Sequence, residues 1–179
     1  MKLKTSGLLT LATIMGFSAN ANAGAVIDIY AGATMGAGGA TLFMNDDNYT
    51  DSGQSFGALA GIDIPLFRFE AEYNYLNDSD TKLNIGMLNA YFKMPSTVIK
   101  PYLGLGLGTV FGGNAGDFDI DARAAYQGML GITFDMPVLP VKFDAEARAL
   151  YAPNLFTTAA NAKPDLLHYD LRLKARYVF

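Results

Sequence analysis

Two small groups of residues have types and spacings that could support chemistry. His168 is the only histidine in the chain, and Asp170 follows two positions later. That spacing puts both side chains on one face of a β-strand. A serine nucleophile needs a base within reach and a third group to orient that base. No serine occurs anywhere from 141 to the end of the sequence. The pair therefore reads as polar lining, and no catalytic residue is assigned. Asp117, Asp119 and Asp121 alternate like the opening of a calcium loop. Position six of that loop would be Ala122 instead of Gly, and position twelve Gly128 instead of Glu. The stretch reads as a solvated acidic loop, and no metal site is assigned. Gly104, Gly106 and Gly108 alternate with leucines and open no helix, so they form no phosphate cradle. The chain has no cysteine, which excludes thiolate–zinc sites and thiol catalysis. Nothing in the sequence implies a cofactor.

The largest set of charged residues is distributed along strands. The last stretch, Leu167–Phe179, shows the rule. Leu167, Tyr169, Leu171, Leu173, Ala175, Tyr177 and Phe179 alternate with His168, Asp170, Arg172, Lys174 and Arg176. Period-2 alternation is the mark of a β-strand with two unlike faces. The same reading places strands at Ala25–Ala37, Gln54–Ile64, Phe67–Leu76, Leu83–Met94, Ile99–Phe111, Ala122–Met136 and Val141–Ala152. With the last stretch, that makes eight. Short turns containing Pro65, Pro95, and Pro137 with Pro140 alternate with polar loops at 38–53, 77–82, 112–121 and 153–166. The fourth strand is irregular. Its second half sets Asn89, Tyr91 and Lys93 inward, but its first half sets Leu83, Ile85 and Met87 against Asn84 and Gly86. A bulge near Gly86, or a start lying above a membrane, accounts for that.

The polar faces of these strands carry eight acids: Asp28, Asp63, Glu70, Glu72, Asp135, Asp144, Glu146 and Asp170. They also carry eight bases: Arg68, Lys93, Lys100, Lys142, Arg148, Arg172, Lys174 and Arg176. None of the sixteen falls mid-strand on the apolar face. A Lys or Arg turned toward acyl chains near the bilayer midplane costs about 2–4 kcal/mol. Inside a barrel of eight strands there is just room for side chains to fill the lumen. Equal numbers of opposite charges there predict an interlocked, neutral plug, with inward Gly32, Gly57, Gly104, Gly106 and Gly108 making room. Closure also satisfies the backbone polar groups, as hydrocarbon requires. Tyr30 and Tyr102 point inward. Tyr73, Tyr75, Tyr151, Tyr169, Tyr177, Phe67 and Phe179 supply aromatic girdles.

The ends and the composition fit an exported membrane barrel. Lys2 and Lys4, the apolar run Leu8–Phe17 and the small residues Ala21 and Ala23 read as a signal peptide over 1–23. The barrel domain is then 24–179. Lys2 and Lys4 leave with the signal, so thirteen basic residues become eleven against seventeen acidic, a net of −6. That balance argues against nucleic acid, whose binding needs a basic footprint. The whole net charge falls in the loops. The expected fold is all-β: an eight-stranded antiparallel up-and-down transmembrane barrel. A soluble β-sandwich is the competing architecture.

The stretches Glu70–Tyr75 (EAEYNY), Leu88–Phe92 (LNAYF), Lys100–Gly108 (KPYLGLGLG) and the terminal Arg176–Phe179 (RYVF) resemble the opacity-protein/OmpA-type family of eight-stranded outer-membrane barrels. The resemblance spans the predicted mature chain. It implies a place in the bacterial outer membrane, contact with its lipids and lipopolysaccharide, and insertion by the outer-membrane assembly machinery. Tyr177 and Phe179 would form the signal that the machinery reads. It further implies a surface role such as envelope integrity, adhesion or antigenicity; a monomer is expected, with any host or surface ligand at the loops. Divalent cations bridging the acidic loop to lipopolysaccharide would fit such a setting. The His-x-Ser pattern of the lipid-A deacylases among such barrels is absent. A narrow pore for small solutes and a lipid-A-modifying enzyme remain the alternative functions.

Overall fold

The computed structural model describes residues 27–44, 47–78, 81–95, 99–115, 118–119, 122–136, 138–154 and 165–179. The segment 1–23, expected to be a signal peptide, lies outside them. The strands are β1 (Asp28–Met44), β2 (Asp47–Asp63), β3 (Phe67–Asp78), β4 (Thr81–Lys93), β5 (Ile99–Ala115), β6 (Phe118–Asp119), β7 (Arg123–Asp135), β8 (Val141–Ala152) and β9 (Asp165–Val178). β6 is a two-residue extension that pairs only with the far end of β5. The other eight pair antiparallel with their neighbours, and β1 pairs β9 from Tyr30↔Val178 to Phe43↔Asp165, so the sheet closes. Backbone bonds from Phe179 N to Ile29 O (2.9 Å) and Val178 N to Pro140 O (2.8 Å) complete the seam at the end holding the short turns.

The strand boundaries differ from expectation at the opposite, loop end. The 38–53 segment, read as a loop, is a hairpin: the β1–β2 ladder continues to Met44↔Asp47. The β3–β4 loop likewise shrinks, with β3 reaching Asp78 and β4 starting at Thr81. Polar composition suggested loops because the reading looked for one apolar face. Strand above a membrane has water on its outside and needs none. Gly38 marks the close approach there, since a Cβ on it would lie 1.9 Å from the Tyr169 carbonyl oxygen of β9.

The bulge expected near Gly86 is present, but on the partner strand. β4 keeps one phase throughout, and Leu83, Ile85, Met87, Asn89, Tyr91 and Lys93 all point inward and are buried. The register shift falls between Asn84↔Gly112 and Ile85↔Val110, so the extra residue is Phe111, on β5. The apolar residues of β4 break the expected pattern because the lumen itself changes character at that height.

The outer face is a continuous apolar belt. Leu105 is 75% exposed, Leu171 72%, Leu88 63% and Leu107 62%. Soluble monomers rarely expose contiguous apolar patches above a few hundred Å². Phe67, Phe92, Phe134, Phe143, Tyr177 and Phe179 ring the turn end, and Tyr73, Tyr126, Tyr151 and Tyr169 ring the loop end. Along β8, Phe143 and Tyr151 are eight residues apart, about 27 Å of strand. At a tilt near 40° that is a height of about 20 Å, suited to a thin hydrocarbon layer.

Candidate functional site

The lumen holds all sixteen predicted charges, and each has an oppositely charged partner within 4 Å. They sit inside because inward positions alternate with lipid-facing ones on every strand. They form tiers along the barrel axis.

At the turn end, Lys142 Nζ lies 2.8 Å from Asp28 and 3.8 Å from Asp63. Asp63 also takes Lys93, and Arg176 at 3.4 Å. Lys100 pairs with Asp135, both partly open to solvent. In the middle tier, Arg176 grips Asp144 with two bonds of 2.8 Å, while Arg68 and Thr133 donate to the same carboxylate at 3.1 and 2.5 Å. The Arg68 guanidinium lies 3.9 Å from the Tyr91 ring centre and 4.6 Å from that of Tyr102. These two rings meet edge to face at 5.4 Å. A planar cation stacked on aromatic faces keeps its charge stabilised where few hydrogen-bond acceptors fit. Lys174 lies 3.0 Å from Glu70 and 3.2 Å from Glu146. Tyr30 and Tyr91 donate to Glu70 at 2.9 and 2.8 Å, and Tyr102 donates to Glu146 at 3.0 Å. Gly104 leaves the space that Tyr91 fills, since a Cβ there would be 2.4 Å from its ring.

Above this, Arg172 joins Glu72 (2.5 Å) to Glu146. Asn89 donates to Glu72 and Gln127 to Asn89, both at 2.7 Å. Arg148 forks onto Asp170 with bonds of 2.9 and 2.6 Å. Ser55 Oγ donates to Asp170 Oδ2 at 2.7 Å, and His168 Nε2 lies 3.4 Å from the same oxygen.

Serine, aspartate and histidine thus meet, and sequence reading had not found the serine because it comes from β2. The wiring is unlike a hydrolase relay. Serine and imidazole both reach the same carboxylate oxygen of Asp170, whereas in a hydrolase relay the imidazole takes the serine proton and the carboxylate holds the imidazole. Asp170 is also held by Arg148, and all three residues are buried, His168 at 0% exposure.

The final tier is apolar. Ala40, Leu76, Leu83, Ile85, Met87, Val110, Ala125, Leu150, Ala152 and Leu166 form one buried cluster across the lumen at the loop end. The charge plug read from the sequence stops short of this tier. The signal was present on strand after strand. On β3 the inward phase runs Arg68, Glu70, Glu72, Asn74, then Leu76; on β8 it runs Lys142, Asp144, Glu146, Arg148, then Leu150 and Ala152. Only the register brings these endings to one height.

Of the acidic triplet, Asp117 and Asp121 lie outside the described residues, and Asp119 falls in β6. Tyr177 and Phe179 face outward at the turn end with rings 5.3 Å apart.

No protein-family model matches the chain, and no curated protein matches its sequence. Solved structures do. The Neisserial surface protein A is 23% identical, with a TM-score of 0.66 over 84% of this chain and 97% of that one. The N-terminal β-barrel domain of Pseudomonas aeruginosa OprF is 11% identical, with a TM-score of 0.51 over 80% and 97%. The outer-membrane enzyme PagL is 15% identical, with a TM-score of 0.50 over 79% and 97%. These likenesses, the closed sheet and the apolar belt agree: the chain has the fold of the eight-stranded outer-membrane β-barrels.

Proposed function

We propose that the protein is a non-conducting, non-enzymatic barrel of the bacterial outer membrane that holds its loop end rigidly at the cell surface, in a structural or surface-interaction role. The observation that carries this reading is the apolar tier stacked on the paired-charge tiers. A hydrophobic constriction excludes water, and without water an ion faces a steep desolvation cost. The paired charges beneath offer no free site to replace its hydration shell. The short turns and both ends of the described chain then face the periplasm, and the β1–β2 hairpin projects outward. Among the described residues, the charges outside the lumen fall on that outward side. Outer-membrane lipids, lipopolysaccharide and the assembly machinery are its partners in this reading, with Tyr177 and Phe179 offered to the machinery and any surface ligand met at the loops.

Planar-bilayer recording is the direct test. The refolded protein gives no reproducible conductance steps if the lumen is sealed; stable unitary steps would favour the narrow pore instead. Mass spectrometry of lipid A from cells with and without the protein tests the enzymatic alternative, and unchanged lipid A is the expected result.

A further inference from the structure

The lipid-facing wall carries a narrow groove along β8, bounded by ridges on both sides. Above β8 the outward residues are Ala145, Ala147 and Ala149, between Phe143 and Tyr151. Their cross-strand neighbours are large. Leu130, Ala147 and Leu171 form one row, and Ile132, Ala145 and Leu173 form the next. Large–small–large rows in succession make a groove of about 550 Å³, with alanine as floor and leucine and isoleucine as walls; Pro101 extends it past Ile132. Phe143, paired with Phe134, blocks the floor at the turn end.

We propose that this groove is a binding site for one acyl chain of a phospholipid from the periplasmic leaflet. The inference rests on the membrane reading above and adds a specific ligand to it. Three features select the occupant. The groove is continuous with the belt that already meets hydrocarbon, so an acyl chain reaches it without crossing a polar zone. Its length is two rows of side chains, far short of the 1,200 Å² or so that a stable interface between copies buries. Two convex barrels also touch along a line, whereas a slot between ridges admits a single flexible chain. Depth decides the leaflet: Pro101 is the third residue of β5 and Ile132 lies three residues before the end of β7, so the slot occupies the turn-end half of the belt. In an outer membrane the periplasmic leaflet is phospholipid, while lipopolysaccharide fills the other.

The chain has no tryptophan, so single tryptophans make clean probes. Leu171→Trp places one on the groove wall, and Phe69→Trp places one on the belt across the barrel from it. Both are refolded into vesicles of phosphatidylethanolamine carrying increasing fractions of the same lipid brominated on its acyl chains. Heat-modifiable migration on a gel confirms insertion, so failure of the membrane reading shows first and separately. The expected result is half-maximal quenching of Leu171→Trp at a brominated fraction several-fold below that needed for Phe69→Trp. Adding Ala147→Phe, or Ala145→Leu if the first does not insert, brings the two curves together. Coincident curves for the inserted parent probes overturn the site. Stronger displacement of the brominated lipid by lipid A than by phospholipid overturns the leaflet. Cross-linking of copies through the groove, without lipid preference, gives it to a second barrel.

Discussion

The two halves of the lumen solve one problem in opposite ways. Around Arg68, Arg172 and Asp144 the filling is ionic, with every charge met by another. Around Leu83, Ile85 and Leu166 it is oily. The outside changes in the reverse sense. Beside the ionic tiers the wall is leucine and phenylalanine. Beside the apolar tier it carries Asn84, Thr109 and the hydroxyls of Tyr73 and Tyr151, with Tyr73 donating to Asn84 at 2.7 Å. The wall follows what surrounds it at each height, lipid or headgroup. The filling faces no such demand, and needs only to be dense and internally satisfied. Charge at depth and apolar contact near the mouth both meet that condition, but they fail differently when disturbed.

That difference can be measured. Arg172→Ala strips Glu72 and Glu146 of their shared cation and should cost about 3–5 kcal/mol, read as a lowered urea midpoint in reversible vesicle unfolding. A loss no larger than that of a surface pair would mean the ionic tier is effectively wet. On the wall beside it, Leu105→Arg should cost about 2–4 kcal/mol in the same assay, the charge now facing acyl chains. A neutral outcome there would place Leu105 outside hydrocarbon. In the apolar tier, Ile85→Val removes one methylene from packed surroundings, and about 0.5–1.5 kcal/mol is expected with no conductance gained. An effect near zero would show that the tier is loosely packed and a poor seal. Least of all, Lys100→Gln opens a pair already partly in water and should cost under about 1 kcal/mol, shrinking further as salt is raised. A salt-insensitive, larger loss would extend the ionic tier to the very rim.

Most of the barrel was readable in advance because period 2 is a one-dimensional signal. Asp144, Glu146 and Arg148 between Phe143, Ala145 and Ala147 state which side faces lipid before any partner is known. The alternation over 38–53 was missed because it pairs neither face with an apolar one. The apolar tier was missed because no single strand contains it. Leu76, Val110, Leu150 and Leu166 lie toward the loop ends of four different strands, and each alone looks like a lapse in the pattern.

Residue order along the chain thus determined the strands, their two faces, their antiparallel succession and the neutrality of the interior. These follow from side-chain direction in an extended backbone and from the cost of charge in lipid, both local properties. Which acid meets which base, that Ser55 joins His168 and Asp170, that the lumen is closed by an oily layer, and that three alanines lie between ridges were settled only by closure. Each depends on strand stagger, which places residues a hundred positions apart at one height and is written in no single segment.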